Sequence, residues 1–276
     1  MNKLPVSKRA QILNLLVEGM SLRATSRIAD VSFNTVSKLQ IEAGRACQDF
    51  HDATVNRLKC KRIQCDEIWS FVYSKEKNVP EEHKGKGRGD IWTWVGIDAD
   101  TKLVLSWLVG NRDSETAYAF IGDLKSRIRN RVQLTTDGHS SYLEAVRDTF
   151  GSRIDYAMLI KKYGPSYPQD EHDRRYSPSP AIGFKTRRIL GNPDPAHICT
   201  NHVERQNLTM RMHIRRFTRL TNAFSKKVEN HSHSVALHFV YYNFIKIHKT
   251  LRVTPAMEAG LAKDVMSFEE IVSLLN

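Results

Sequence analysis

The chain has 276 residues, 41% of them apolar, enough for a sizeable hydrophobic core in one or two domains. It has no run of eighteen apolar residues and no signal-peptide core, so we expect no membrane span and a cytoplasmic protein. The four cysteines form no Cys-x-x-Cys pair, which favours reduced thiols over a structural zinc site. The net charge of +12 and the pI near 9.6 favour a polyanionic partner.

The positive charge is unevenly distributed. Residues 199–252 carry ten Lys or Arg against two acids, residues 1–50 carry seven against four, and residues 51–198 carry 24 against 20. A basic run is usually only a solvated face. Here the most basic segment also contains Glu204, one of three carboxylates that stand out below, and this favours phosphate binding.

Residues 1–50 predict a small helix-turn-helix domain. Ser7 can cap a helix that ends near Val17, Ser21 opens a short second helix, and Asp30-Val31-Ser32 makes a turn before a third helix. A helix, a three-residue turn and a helix that begins with small polar residues are typical of DNA readers, although a plain three-helix packing module is the alternative. The side chains expected in the major groove are those of Ser32, Asn34, Thr35 and Lys38.

A polar linker at residues 51–61 precedes a predicted catalytic domain at residues 62–252. Its predicted strands are Ile63–Tyr73, Ile91–Asp98, Leu103–Val109, Val132–Thr136 and Ile154–Ile160. Predicted helices follow the third strand (Glu115–Arg129) and the fourth (from Ser140). Three antiparallel strands followed by helix-linked parallel strands indicate the ribonuclease-H-like layout, an α/β fold whose mixed sheet has flanking helices, here preceded by the small all-α domain.

The C-terminal part of the sequence is less regular. Residues 161–198 hold six of the nine prolines and are expected to be a long irregular insertion. Helices are then predicted over residues 199–220 and over Ser232–Lys249, and residues 253–276 are expected to form a C-terminal tail.

Three carboxylates are candidates for one catalytic site. Asp66 lies within an apolar strand, where an unpaired carboxylate is costly, Asp137 ends another strand, and Glu204 lies on the basic helix. Taken singly, Asp137 could be a turn residue and Glu204 a surface acid. The other acids nearby are poorer candidates: strand alternation places Glu67 on the face opposite Asp66, and Asp98 and Asp100 suit a turn.

Converging carboxylates are ligands that Mg²⁺ prefers. Two Mg²⁺ ions about 4 Å apart, with Mn²⁺ able to substitute, can activate an attacking hydroxyl and stabilise a leaving oxygen in phosphoryl transfer. The sequence therefore predicts a two-metal site held by Asp66, Asp137 and Glu204 that acts on nucleic-acid phosphates.

The helix of Glu204 is also a candidate DNA-binding element. At steps of three and four residues, Asn207, Arg211 and Arg215 share a helical face with Glu204. Arg216 and Arg219 extend the basic track beyond that face. This face would place phosphate-binding groups next to a metal ligand.

The segment from His202 to Thr209, continued by Arg211, Arg215-Arg216 and Arg219, resembles the glutamate region of the DDE transposases of the insertion sequence 1 family. Cys65-Asp66-Glu67-Ile68-Trp69-Ser70 and Thr136-Asp137-Gly138 resemble the two aspartate regions of that family, and the likeness spans roughly residues 60–260. The resemblance implies a ribonuclease-H-like fold, Asp66, Asp137 and Glu204 as the metal-binding triad, and Mg²⁺-dependent cutting and joining of DNA at terminal inverted repeats. Some family members carry an N-terminal zinc finger, and this chain has no such cysteine set.

The sequence-based hypothesis is a DNA transposase that cleaves element ends and transfers the freed 3′-hydroxyl to target DNA. Its partners would be terminal-repeat and target duplexes, it would be nucleoid-associated when bound to them, and holding two ends together favours a homo-oligomer. Two alternatives remain, a sequence-specific DNA-binding repressor with an inactive catalytic domain and a nuclease of the same fold that does not join strands.

Overall fold

The computed structural model describes residues 3–164 and 181–275, which form a mixed six-stranded sheet with helices packed against it. The order of the strands across the sheet is β3-β2-β1-β4-β5-β6. The strands are β1 Arg62–Val72, β2 Gly89–Asp98, β3 Val104–Gly110, β4 Val132–Thr136, β5 Ile154–Tyr163 and β6 Ala181–Leu190. The helices are α1 Val6–Val17, α2 Leu22–Ile28, α3 Phe33–Thr54, α4 Ser114–Ser126, α5 Ser141–Phe150, α6 Asn201–His213, α7 Val228–Val240, α8 Pro255–Glu258 and α9 Phe268–Ser273.

Strand β1 organises the sheet. It pairs antiparallel with β2, which pairs antiparallel with β3, and it pairs parallel with β4, which pairs parallel with β5. Ile63, Cys65, Ile68 and Val72 of β1 are buried, and Trp94 of β2 is fully buried. The predicted fold class, a mixed sheet with flanking helices preceded by a helical region, is confirmed.

The first three helices follow the predicted pattern with one changed cap. Ser21 and Ser32 cap α2 and α3 through backbone N–H groups three residues on, but Pro5, not Ser7, is the N-cap of α1. Helix α3 has 22 residues and ends inside the segment predicted as a linker. Beyond it Val55 is buried, so residues 51–61 are partly helical and packed.

The segment predicted as an irregular insertion contains a strand. Strand β5 extends to Tyr163, and β6 returns antiparallel beside it as the edge of the sheet. This part of the prediction for residues 161–198 is wrong, because four of its six prolines fall at residues 165–180, outside the described residues, and the segment that follows them has few β-breaking residues.

The C-terminal elements also differ from the prediction. Helix α6 ends at His213, earlier than the predicted residue 220, and a 3₁₀ turn covers Arg215–Phe217. Helix α7 ends at Val240 and continues as a π-helical turn over Tyr241–Ile245.

Residues 253–276 are not a loose tail. They hold α8 and α9, and α9 packs on α1 through the buried Ile271 and Val272. The N-terminal helices, the sheet and the C-terminal helices share one hydrophobic core. Among the described residues, no helix combines the length and apolar character needed to cross a bilayer.

Candidate active site

The fold brings the three predicted carboxylates into one cleft. Asp66 lies within β1, and Asp137 follows β4 directly; because Cys65 pairs with Thr136, the two aspartates leave adjacent strands at the same level. Glu204 lies in the first turn of α6, which packs on β1. All three line a cleft of about 620 Å³.

Asp66 is fixed by two hydrogen bonds. Its Oδ1 accepts the backbone N–H of Glu67 at 2.9 Å, and its Oδ2 accepts Nδ2 of Asn207 on α6 at 2.9 Å. Burial, and then the charge of Asp137, raises the pKa of Asp66 to about 7. A nearby cation would stabilise the charged form of this carboxylate, which a second carboxylate repels.

Asp137 is held at the end of its strand by a short turn and by an arginine. Its Oδ1 accepts the backbone N–H of His139 at 2.9 Å, and its Oδ2 lies 3.4 Å from a guanidinium nitrogen of Arg112. Arg112, which follows β3, stacks over the ring of Trp92 with its guanidinium carbon 4.7 Å from the centroid. The carboxylate of Asp137 therefore both stabilises the turn after β4 and lines the cleft.

Glu204 occupies the same cleft on its other side. It accepts a hydrogen bond from Thr200 Oγ1 and forms an ion pair with Lys161 Nζ at 2.6 Å. Its side chain is 35% exposed, so solvent screens this pair, but its charge also contributes to the raised pKa of Asp66. Glu204 is therefore near Asp66, but its charge is balanced by the ion pair with Lys161.

The acids close enough to share one ion are not the predicted triad. Asp66, Glu67 and Asp137 each offer an oxygen, and these atoms lie within 4.8 Å of one another; they are the one such group among residues 3–164 and 181–275. Strand alternation places Glu67 on the face of β1 opposite Asp66, as expected, but this does not separate its carboxylate from the two aspartates. Asp137 sits at the strand end, where side chains from both faces of β1 can reach it.

Helix α6 is docked on β1 by two side chains that share a strand face. Oε1 of the buried Gln64 accepts the backbone N–H groups of His202 at 2.8 Å and Val203 at 3.2 Å, in the first turn of α6. Two residues along β1, Asp66 accepts from Asn207. These contacts fix the position of Glu204 relative to β1.

The residues predicted to bind DNA on and after α6 have three different placements. Asn207 is buried and bonded to Asp66, so it orients a carboxylate and does not lie on an open DNA-facing surface. Arg211 lines the cleft as predicted. Arg215 and Arg219 lie beyond the end of α6, so the predicted continuous face stops at Arg211.

Arg216 is half-buried and bonded within the protein. Its guanidinium donates to Gln40 Oε1 on α3 at 2.8 Å and to Ser225 Oγ at 3.2 Å. Burial lowers its pKa to about 10, which still leaves it charged at neutral pH. These bonds join the third helix to the segment after α6 and occupy the guanidinium, and a DNA contact of Arg216 stays a prediction.

The N-terminal residues expected to contact DNA remain available. Ser32, Asn34 and Lys38 are exposed, and Thr35 is half-buried at the start of α3. Ser32 also caps α3 by accepting the N–H of Thr35 at 3.1 Å.

Sequence reasoning missed Glu67, Arg112, His139 and Lys161. Each lies within two residues of a strand end or of a predicted acid: Arg112 follows β3, His139 follows Asp137, and Lys161 lies near the end of β5. A rule that collects polar residues at the ends of neighbouring strands would have found Arg112, His139 and Lys161, whereas Glu67 lies within β1 and was set aside by strand alternation. Asp98 and Asp100 form the turn after β2, as expected, where Asp98 accepts from Thr101 Oγ1 at 2.8 Å.

Comparison with known proteins finds similarity in the part of the chain that contains α6. Residues 188–248, which include α6, match the family model described as IS1 transposase. The insertion element iso-IS1n protein InsB of Shigella dysenteriae is 29% identical over 168 residues, which cover 61% of this chain and 86% of that protein.

Two solved structures are similar at a lower level. One is a piggyBac transposase synaptic complex with hairpin DNA, at 9% identity and a TM-score of 0.43, covering 98% of this chain and 69% of that one. The other is the Mos1 strand transfer complex, at 17% identity and a TM-score of 0.25, covering 56% of this chain and 59% of that one. These scores are too low to define the fold, which follows from the chain's own sheet topology.

Proposed function

We propose that the chain is a member of the insertion sequence 1 transposase family and that it cleaves the ends of a mobile DNA element and joins them to target DNA. The observation that carries the proposal is the convergence of Asp66, Asp137 and Glu204 in one cleft, together with the cations Lys161 and Arg211. Acids that can hold a metal ion, next to bases that can hold phosphate, suit phosphodiester chemistry.

The acidic side of the cleft fits divalent cations. One oxygen of Asp66 and one of Asp137 lie within 4.8 Å of each other, and both are hard ligands. Burial and the charge of Asp137 raise the pKa of Asp66, which a bound cation would offset. Asp66 and Asp137 would hold the metal, with Glu204 completing the set once it exchanges Lys161 for the ion. Bound Mg²⁺, in two ions, or Mn²⁺ in its place, would supply activation of the attacking hydroxyl and neutralisation of the leaving oxygen.

The chain's own side chains orient the acids and the phosphate. Asn207 holds one oxygen of Asp66, and the backbone N–H of His139 holds one oxygen of Asp137, so neither carboxylate is free to rotate. Arg211 lines the cleft from α6 and can bind a substrate phosphate. If Glu204 held the metal, the ammonium of Lys161, now paired with Glu204, would be left to bind the scissile phosphate.

We assign end recognition to residues 1–50, catalysis to residues 62–252, and a connecting role to residues 51–61. The exposed Ser32, Asn34 and Lys38, with Thr35, begin α3, where a recognition helix contacts base edges. Arg215 and Arg219 would contact the DNA backbone between the two parts. Bringing two ends together requires at least two copies of the chain, and chromosomal substrates would place the protein in the cytoplasm, at the nucleoid.

The proposal is tested with the DNA that flanks the gene. A labelled duplex carrying the flanking inverted repeat is incubated with the protein, Mg²⁺ and a supercoiled plasmid, and the products are resolved on a gel. A transposase gives nicked ends and a labelled plasmid. A nuclease gives nicks without labelled plasmid, and a repressor gives a footprint without nicks; either result would refute the proposal.

A further inference from the structure

We propose that Glu67 is a fourth carboxylate of the metal site, contributing an oxygen ligand beside Asp66 and Asp137. The inference rests on the proposed metal-dependent function and extends it to a residue outside the triad. It follows from the position, burial and hydrogen-bonding state of one side chain.

Glu67 reaches the cleft from the face of β1 opposite Asp66. Its side chain is 0% exposed, and one of its oxygens lies within 4.8 Å of oxygens of both Asp66 and Asp137. Asp137 follows the last residue of β4, and from that position it meets Asp66 on one side and Glu67 on the other. The three acids therefore surround a common point at the edge of the sheet.

The hydrogen bonds of this group leave one oxygen without a bond of ordinary geometry. Both oxygens of Asp66 and both oxygens of Asp137 accept a bond, from Glu67 N–H, Asn207, His139 N–H and Arg112. Oε2 of Glu67 accepts from Arg112 Nε at 3.1 Å. Oε1 of Glu67 is buried and accepts no hydrogen bond of ordinary geometry among the described residues, while the buried hydroxyl of Tyr142, which also lacks such a bond, lies near enough to favour the charged form of Glu67. A buried carboxylate oxygen left in this state is costly unless a cation or a proton satisfies it.

Arg112 does not neutralise the group by itself. Among the described residues it is the one cation within hydrogen-bonding distance of the three acids, and it is shared between Glu67 and Asp137. Lys161 is paired with Glu204. Three carboxylates against one guanidinium leave an excess of negative charge that a divalent ion would balance, with Oε1 of Glu67 as an available ligand.

The role of Arg112 follows from the same geometry. It holds Oε2 of Glu67 at 3.1 Å and is itself held over the ring of Trp92. This arrangement fixes the carboxylate plane of Glu67 beside Asp137, so a metal held by the two aspartates would meet a carboxylate whose orientation is already set. Arg112 is thus a positioning residue for Glu67.

Metal binding by the full-length chain tests the inference without relying on cleavage. Free Mn²⁺ is followed by electron paramagnetic resonance during titration of wild type, Glu67→Gln and the control Glu144→Gln, an exposed acid on α5 outside the cleft. We expect Glu67→Gln to weaken Mn²⁺ binding by at least about tenfold, as loss of a ligand or of its support does. Glu144→Gln should bind Mn²⁺ as wild type does.

Thermal unfolding with and without Mn²⁺ separates a lost ligand from a damaged fold. Glu67→Gln removes a buried charge at constant shape, so its metal-free Tm should not fall, while the Mn²⁺-dependent rise in Tm should shrink. If Glu67→Gln fails to fold, Glu67→Asp keeps the charge but shortens the side chain, and it should bind Mn²⁺ with reduced affinity.

The outcomes distinguish the two proposals. If Glu67→Gln binds Mn²⁺ like wild type while Asp66→Asn does not, Glu67 is not a ligand and the proposed function stands. If wild type itself binds no Mn²⁺, the metal-dependent function fails and the inference fails with it. If Glu67→Gln and Asp66→Asn both lose binding while Glu144→Gln retains it, both proposals are supported.

Discussion

Gln64 should control the position of the helix that carries Glu204. Gln64→Leu removes the acceptor of the N–H groups of His202 and Val203, which Oε1 of Gln64 receives at 2.8 and 3.2 Å. Gln64 is 2% exposed, so water cannot enter at this point without displacing packed atoms. At about 1–3 kcal/mol for each donor left unpaired, and with partial rescue by solvent at the half-buried His202, we expect a loss of about 2–4 kcal/mol.

Amide hydrogen exchange by mass spectrometry measures this effect locally. Peptides covering residues 201–207 should exchange faster in Gln64→Leu, the Tm should fall by roughly 5–10 °C for a chain of this size, and strand cleavage should fall with it. Gln64→Glu keeps an acceptor at the positive end of the helix and should restore most of the protection.

The matched control is Gln133→Leu on the neighbouring strand β4. Gln133 exchanges two hydrogen bonds with the backbone of Asp194, at 2.8 and 3.1 Å, and these bonds do not involve α6. Its loss should leave exchange in residues 201–207 unchanged. Wild-type exchange at His202 and Val203 in Gln64→Leu would show that Gln64 does not dock the helix.

Three further predictions concern charge and burial. Burial lowers the pKa of His238 to about 3, and neither ring nitrogen has a hydrogen-bond partner among the described residues. Because the unfolded chain binds this proton near pH 6.5, the stability of the folded protein should fall as the pH drops below that value. In measurements of Tm against pH, His238→Phe should reduce this fall, and an unchanged fall would contradict the assignment. Arg216→Met should lower the Tm because it leaves Gln40 Oε1 unpaired. Arg219 is exposed, so Arg219→Met should leave the Tm unchanged and reduce the salt dependence of DNA binding by about one ion. The reverse pattern would identify Arg216 as the DNA contact. Lys38→Ala should weaken binding to terminal-repeat DNA in fluorescence anisotropy without changing the Tm, and unaltered affinity would remove α3 from DNA recognition.

The fold was largely predictable because local patterns and strand order agree. The β-branched and aromatic runs marked β1 to β3, and Val132–Thr136 was placed with the bounds it has in the structure. Strand β6 was missed because its neighbouring prolines dominate the composition of residues 161–198. The end of α6 was missed because Arg215 and Arg216 are good helix formers, while the hydrogen bonds of Arg216 to Gln40 and Ser225 are tertiary contacts that residue spacing does not contain.

The site was predictable in its acids but not in its contacts. Asp66 and Asp137 could be placed together from the parallel pairing of β1 and β4. Glu67 was excluded by alternation, a rule that holds for a flat strand face and fails where the partner lies at a strand end. The pairing of Glu204 with Lys161 depends on how a helix crosses the sheet, which sequence spacing does not contain.

The central claim is that Asp66, Asp137 and Glu204 perform metal-dependent cleavage after the DNA end has bound elsewhere on the chain. Cleavage of the flanking-repeat duplex in Mg²⁺ should be measured for Asp66→Asn, Asp137→Asn and Glu204→Gln, alongside end binding by anisotropy. Each isosteric change should reduce the cleavage rate by at least about a thousandfold, as loss of metal-assisted charge stabilisation does, with end binding retained. Near-normal cleavage by any one of the three variants would contradict the account.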